Sequence, residues 1–384
     1  MNRNKSLFYF AAFFAMVIYG ISTTIIGAIL PQLIDKFRLT GYSAGTVASS
    51  MPLGITIGSI IFGPIVDRFG YKLLMFVASI TVITGLYGLS STSSVDILRI
   101  SVLLIGAGNG IINGTANSLV SDISGEKKKS RLSLLHAFYG IGALGLPFML
   151  SVFSSVVSIR EVFLIISISL FLLALLLVFI TFPVAKKNMG LPLSEILKLI
   201  NNPLLLLFAF FLFFQSGMEG VAGTWITTLI QKTRIDNYNS ALAALFFLIL
   251  ALTIGRFLIS FLLKHFTRFR LLQVGLIIVI SGAVIIFSIN NYYTTITGLV
   301  LMGFGFAGGF PIILSFVGDN YQSISGTAFS LIFVIALSGS MIMNIIAGVI
   351  SDTFGIQYIS ILIIACVFIM FFLLYNLNSK MSMK

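Results

Sequence analysis

Long apolar runs follow one another along almost the whole chain, with only short polar stretches between them. A helix needs roughly 20 apolar residues to cross a bilayer. Within lipid the backbone must satisfy its own hydrogen bonds, so each run predicts a transmembrane helix. The runs lie at residues 7–34, 44–66, 71–91, 97–120, 132–158, 162–184, 204–231, 240–263, 269–289, 293–317, 323–351 and 355–377. The pattern predicts an all-α integral membrane protein of twelve helices.

The composition excludes a water-facing exterior. Charged residues are 9% of the 384 residues and apolar residues 58%, whereas a soluble domain carries about 25% charged residues. The first run, from Leu7 to Leu30, exceeds the roughly 7–15 apolar residues of a signal peptide, so we interpret it as a helix. The single cysteine, Cys366, offers neither an intramolecular disulfide nor a metal cluster.

The net charge of +12 has a simple explanation in a membrane protein. Lys and Arg collect in cytoplasmic loops. With the N-terminus placed inside, sixteen of the 23 Lys and Arg fall on the cytoplasmic side and six on the other, and Arg256 lies within a helix. We therefore expect both termini in the cytoplasm, a location in the cell membrane, and no nucleic-acid partner.

An internal repeat divides the chain. A shift of 197 residues superimposes Leu104, Gly106, Gly108, Ser118, Val120 and Asp122 on Leu301, Gly303, Gly305, Ser315, Val317 and Asp319. Parallel repeats of this kind are typical of transporters that hold substrate where the repeats meet. We predict a six-helix bundle at 1–184, a cytoplasmic linker at 185–202, and a second six-helix bundle at 203–384.

The decamer from Gly63 to Lys72, Gly-Pro-Ile-Val-Asp-Arg-Phe-Gly-Tyr-Lys, predicts a tight cytoplasmic turn between the second and third helices. Gly63 and Gly70 permit close approach and unusual dihedral angles. Asp67, next to Arg68, is suited to accept hydrogen bonds from the N-terminus of a neighbouring helix, whose dipole favours an anion. Such a contact would hold the two halves of the protein in one conformational state. The alternative is an ordinary positively charged loop with a charge pair.

This decamer resembles the G-x-x-x-D-R-x-G-x-[KR] signature of the major facilitator superfamily, in the loop where that family carries it. The resemblance implies two pseudo-symmetric six-helix bundles, alternating access, and gating roles for Gly63, Asp67, Arg68 and Gly70. In the second half, Lys264 replaces Asp67.

Glu219 is the one acidic residue predicted near the middle of a helix, and Gln215 precedes it by one turn on the same face. Burial favours the neutral form of a carboxyl, which suits a proton carrier. The alternative is a hydrogen-bonded Glu that only fixes helix packing.

Arg256 is the cation within a span; it could pair with a carboxylate such as Asp319 or reach the surface, and we favour a gating or structural role.

Gln215 and several further polar side chains are candidate substrate ligands. Asn109, Asn113 and Asn117 form one stripe of the fourth helix, facing either a cavity or a neighbouring helix. His136 and Tyr139 share a face of the fifth helix, for proton transfer, hydroxyl binding or packing. Trp225 is suited to stack on a sugar or to anchor the helix at the membrane interface.

Three segments resemble the fucose–galactose–glucose proton symporter branch: Gly217-Met218-Glu219 followed by Trp225, Leu135 to Ala143, and Gly303 to Pro311. In that branch a mid-helix acid in the first or fourth helix is often the coupling group. Asn113 stands at the fourth-helix position, so either Glu219 carries the proton, coupling is altered, or transport is facilitated diffusion.

The sequence thus predicts a secondary transporter for a small polar solute, with a hexose as the preferred candidate. We expect transport to be coupled to protons and to need no resident cofactor or metal, and we expect the protein to be a monomer in the bilayer. A drug–proton antiporter or other exporter is the alternative, although the fifth helix lacks the G-x-x-x-G-P-x-x-G-G run of such exporters. A lipid or lipid-precursor porter is a further one. An enzyme is not expected, because His136 and His265 are far apart in sequence.

Overall fold

The computed structural model describes residues 2–153, 158–179, 199–234, 237–321 and 325–382. Within these ranges the chain forms helices and no strand. The α-helices are α1 (Asn2–Phe37), α2 (Gly41–Ser91), α3 (Val95–Ile123), α4 (Lys128–Phe153), α5 (Ile159–Phe179), α6 (Pro203–Thr233), α7 (Tyr238–Leu262), α8 (Arg268–Ser288), α9 (Tyr292–Phe306), α10 (Gly309–Asn320), α11 (Ser325–Thr353) and α12 (Ile359–Ser382).

Twelve stretches of the described residues are long and apolar enough to cross a membrane, which confirms the predicted number. Two of them belong to α2, at Gly41–Phe62 and Arg68–Ser91. Gly70 interrupts α2 with a φ of 77°, a left-handed value that suits a residue without a Cβ. Conversely, α9 and α10 together make one stretch, Tyr292–Asn320.

The chain divides into two compact units. The first comprises Met1–Ile29, Asp35–Phe37 and Thr46–Gly190, and the second comprises Leu30–Ile34, Arg38–Gly45 and Leu191–Lys384. Along the chain, the division after Gly190 falls within the linker predicted at 185–202. Residues 180–198 lie outside the described ranges, so the predicted boundaries of the linker stay predictions.

The 197-residue repeat reappears in the helix packing of each unit. In the first unit a Cβ added to Gly142 of α4 would lie 2.0 Å from a backbone oxygen of α1. In the second, a Cβ added to Gly339 of α11 would lie 1.9 Å from a backbone oxygen of α6. Gly20 and Gly217 face these crossings at the same offset. Glycine at all four positions lets the helix backbones touch.

Equivalent polar contacts tie α3 to α2 in the first unit and α10 to α8 in the second. The hydroxyl of Tyr71 donates a hydrogen bond of 2.6 Å to Asp122. At the shifted positions, Arg268 forms an ion pair of 2.5 Å with Asp319. The repeat read from the sequence therefore marks residues that hold the same helix pair together in each unit.

Candidate functional site

Glu219 lies near the middle of α6 with 17% of its side chain exposed. Its Oε1 accepts a hydrogen bond of 2.6 Å from Nε2 of Gln215. The two residues are four positions apart, so one helical face carries both side chains, as the sequence predicts. The carboxyl group is thus held within the second unit at membrane depth.

Arg256 of α7 is the charged partner of Glu219. Its Nη2 lies 3.6 Å from Oε2 of Glu219. Of the two possibilities named for Arg256, pairing with a carboxylate is present, but the partner is Glu219 and not Asp319, which is paired with Arg268. A charge inside a membrane span is costly unless it is paired or reaches water. The pairing with Glu219 supplies such a partner.

Gln215 connects Glu219 to an interrupted helix. Its side chain is buried, and Nε2 donates a second hydrogen bond of 3.0 Å to the backbone oxygen of Phe306. Phe306 is the last residue of α9, and the turn at Ala307 and Gly308 separates α9 from α10. The last carbonyls of a helix lack intrahelical partners, and interrupted helices at membrane depth form the binding sites of many transporters.

The asparagines of α3 are divided between two environments. Asn109 is fully buried, and neither of its amide atoms has a hydrogen-bond partner among the described residues. Asn117 donates from Nδ2 to both the backbone oxygen and Oδ1 of Asn113, at 2.8 Å each. Asn113 and Asn117 are half-buried. The predicted stripe exists, but its members do not share one hydrogen-bond network; their substrate role stays a prediction.

His136 and Tyr139 of α4 also differ in their surroundings. His136 is exposed, whereas Tyr139 is half-buried. The Tyr139 ring lies 5.0 Å from that of Tyr19, and its hydroxyl is 3.4 Å from that of Thr23. Tyr139 therefore packs on α1 within the first unit. The substrate roles of His136 and Tyr139 stay predictions.

Trp225 is the largest fully buried side chain of the second unit, with 1% exposure. Its indole Nε1 donates a hydrogen bond of 3.1 Å to Oδ1 of Asn344 in α11. Asn344 in turn donates to the backbone of Ser340. In this conformation the ring presents no open face to a solute, so stacking on a sugar stays a prediction that requires Trp225 to become exposed.

The gating motif is described in part. The burial and contacts of Gly63 and Asp67 lie outside the described part of the chain, although both positions belong to α2. Arg68 is exposed, with its guanidinium 5.2 Å from the centre of the Phe69 ring. Gly70 makes the predicted unusual turn. The gating roles of these residues and of Arg256 remain predictions.

Asp352 was missed by the sequence reasoning. It lies near the end of α11, and its carboxylate accepts hydrogen bonds from the backbone nitrogens of Gly41 and Tyr42. The available signal was a second Gly-x-x-x-Asp-x-Phe-Gly pattern at 348–355, which has the same spacing as residues 63–70.

The model of the Major Facilitator Superfamily matches residues 12–336. The chain belongs to this superfamily. It is therefore a multi-pass membrane transporter of small molecules and not an enzyme.

Relatives of this superfamily member include sugar transporters. The glucose/mannose transporter GlcP of Bacillus subtilis (strain 168) is 25% identical over 365 residues, covering 91% of this chain and 88% of GlcP. The galactose–proton symporter of Escherichia coli (strain K12) is 28% identical over 148 residues, which are 38% of this chain and 32% of the symporter. This second match thus covers about a third of that relative. These two matches confirm the resemblance to sugar–proton symporters.

The fold is shared with solved structures of other transporters. A crystal structure of a mutant form of the nucleoside transporter NupG matches with a TM-score of 0.82 and 12% identity, covering 96% of this chain and 98% of NupG. At such low identity the likeness shows the fold alone.

Proposed function

We propose that this transporter moves a hexose or a similar small polar solute by alternating access, driven by protons that Glu219 binds and releases. The observation that carries the proposal is the group formed by Glu219, Gln215 and Arg256 inside the second unit. Relatives named for galactose–proton symport and for glucose and mannose transport support the solute class.

The chemistry of coupling follows from the ion pair. When Glu219 is ionised, its negative charge compensates Arg256 3.6 Å away. A proton on Glu219 removes this compensation and leaves Arg256 a cation without its partner, which is costly at membrane depth. The protonated and ionised forms therefore favour different arrangements of α6 and α7. Binding that differs between two conformations is what shifts a population from one to the other.

Solute recognition requires hydrogen-bonding groups, and the first unit contains all the candidates named next except Trp225, which belongs to the second unit. We infer that Asn113 and Asn117 contact sugar hydroxyls directly, since both are half-buried, with Asn109, His136, Tyr139 and Trp225 as further ligands. The proton is the coupling ion, no resident cofactor is required, and the monomer is the working unit. We place it in the cell membrane with both termini in the cytoplasm.

Transport in proteoliposomes tests the proposal. Purified protein with an imposed pH gradient, alkaline inside, is expected to accumulate radiolabelled D-glucose or D-galactose. Glu219→Gln is expected to abolish accumulation while equilibrium exchange of the same sugar continues, because the amide cannot carry the proton. Gradient-driven accumulation by the Glu219→Gln protein would refute the coupling role. If neither sugar is transported, the solute class fails, and a thermal-shift screen against polyols, nucleosides and cationic drugs identifies the replacement by ligand stabilisation.

A further inference from the structure

Both hydrogens of the Gln215 amide nitrogen are engaged by the protein. We propose that Gln215 is a positioning residue that aligns the Glu219 carboxylate with Arg256. In this proposal Gly309 packs against the Gln215 amide and keeps it in place, because glycine has no side chain to displace it. The inference rests on the coupling role proposed for Glu219. It removes Gln215 from the candidate substrate ligands.

The hydrogen-bonding capacity of Gln215 supports this role. An amide nitrogen has two hydrogens. In Gln215 one goes to Oε1 of Glu219 at 2.6 Å and the other to the backbone oxygen of Phe306 at 3.0 Å. Both acceptors lack hydrogens of their own when Glu219 is ionised, so the nitrogen rather than the oxygen of the amide must face them. The side chain is 2% exposed and has no donor left for a solute.

The two oxygens of Glu219 are divided between two partners. Gln215 holds Oε1, while Oε2 is the oxygen 3.6 Å from Arg256. Fixing Oε1 sets the rotation of the carboxylate about its last bond and thereby directs Oε2 at Arg256. Arg256 is the one charged side chain paired with Glu219 in the described part of the chain. Without Gln215, the carboxylate would rotate and the pairing would loosen.

The interruption between α9 and α10 provides the fixed end of this link. Phe306 ends α9, so its carbonyl points beyond the helix end, where Gln215 reaches it. Gly309, the first residue of α10, lies directly against the same side chain. A Cβ added to Gly309 would lie 2.4 Å from Cδ and 2.5 Å from Oε1 of Gln215. An alanine there would displace the Gln215 side chain, because the atoms that the added Cβ would meet all belong to it.

Two variants therefore act on the same link from opposite sides. Gln215→Ala removes the amide, and Gly309→Ala displaces it without changing Gln215 or Glu219. Gly223→Ala is the matched control, because it lies on α6 and a Cβ there meets no atom within 4 Å. In the proteoliposome assay, we expect Gln215→Ala and Gly309→Ala to lower gradient-driven accumulation of D-glucose or D-galactose about tenfold. This is the size expected for losing a hydrogen bond to a charged group. Exchange without a gradient should change less than about twofold, and Gly223→Ala should change neither.

The outcomes separate the two proposals. If Glu219→Gln still accumulates sugar, the proposed coupling fails. If Glu219→Gln loses accumulation but both Gln215→Ala and Gly309→Ala retain it, only the positioning role is overturned. Loss of exchange with a raised KM in Gln215→Ala would make Gln215 a solute ligand and would also overturn it.

A measurement on purified protein needs no solute. The apparent melting temperature of the single variants and of the double variant forms a cycle. We expect Gly309→Ala to lower the melting temperature of the wild-type protein and to have little further effect in the Gln215→Ala background, where the new methyl group has room. Additive effects of the two substitutions would show that Gly309 does not act through Gln215. They would overturn the proposed role of Gly309 in keeping the Gln215 amide in place.

Discussion

Asp352 near the end of α11 accepts a hydrogen bond from the backbone nitrogen of Gly41, the first residue of α2. Its other carboxylate oxygen accepts one of 2.8 Å from Tyr42. Both ends of the contact belong to the second compact unit, because Arg38–Gly45 packs there. The first N–H groups of a helix lack intrahelical acceptors and attract negative charge. A residue 311 positions away thus caps α2.

The sequence around Asp352 repeats the pattern of the gating motif. Gly348, Asp352 and Gly355 have the spacing of Gly63, Asp67 and Gly70. Gly355 and Gly70 both adopt a positive φ, of 105° and 77°. The helix-capping contact that the sequence predicts for Asp67 is thus present at Asp352, while that of Asp67 stays a prediction.

Removing the Asp352 cap should destabilise the protein. We expect Asp352→Ala to lower the free energy of unfolding by about 1 kcal/mol, within the roughly 0.5–2 kcal/mol range of N-cap substitutions. Thermal unfolding of the purified protein measures the effect. Asp96→Ala is the control, because Asp96 is 83% exposed and pairs with Arg99 at the surface, where such pairs contribute little. Equal effects of the two substitutions would contradict the capping role.

Two glycines of α4 should respond oppositely to alanine. A Cβ at Gly142 would lie 2.0 Å from a backbone oxygen of α1, which cannot yield without separating the helices, whereas a Cβ at Gly145 meets no atom within 4 Å. We expect Gly142→Ala to reduce folded yield and melting temperature severely. Gly145→Ala should be neutral or stabilising by up to about 1 kcal/mol through helix propensity. Size-exclusion yield and thermal unfolding report both, and similar behaviour of the pair would refute the close crossing.

Substitutions of Glu219 and Arg256 should have coupled effects on the stability of the protein, because the two side chains form an ion pair. Arg256→Gln leaves Glu219 without its charged partner and is expected to destabilise by roughly 1–3 kcal/mol. This is below the roughly 3–5 kcal/mol typical of a fully buried pair, because Arg256 is partly exposed. The double variant Glu219→Gln with Arg256→Gln should be more stable than Arg256→Gln alone, since neither charge is then left unpaired. A double variant at or below the less stable single would argue against the pairing.

The repeat also marks Tyr71, whose hydroxyl we expect to contribute to the stability of the protein. Tyr71→Phe removes the hydrogen bond to Asp122 and should cost roughly 1.5–3 kcal/mol, the range for bonds to charged groups. Tyr87→Phe serves as the control, because Tyr87 is 72% exposed. Chemical or thermal unfolding of the two proteins should differ accordingly. Indistinguishable stability would mean that the Tyr71 contact contributes nothing measurable.

Twelve helices, the internal repeat and the family are predictable from the amino-acid sequence alone. Helix number follows from the length of apolar runs, because lipid leaves the backbone no alternative to the helix. The repeat followed from glycines and aspartates at one offset. The shared face of Gln215 and Glu219 followed from a spacing of four residues. These features depend on short-range periodicity, which a sequence displays directly.

Which polar groups contact one another depends on how the helices pack in the fold. Arg256 pairs with Glu219 rather than Asp319, Trp225 is buried against Asn344, and Asp352 caps α2. Each of these contacts joins two different helices, and the partner of each side chain depends on how its helix is rotated and where it crosses its neighbour. Close packing of small residues, as at Gly142 and Gly339, sets those crossings. The sequence shows that such glycines exist, but the fold selects the backbone that each one touches.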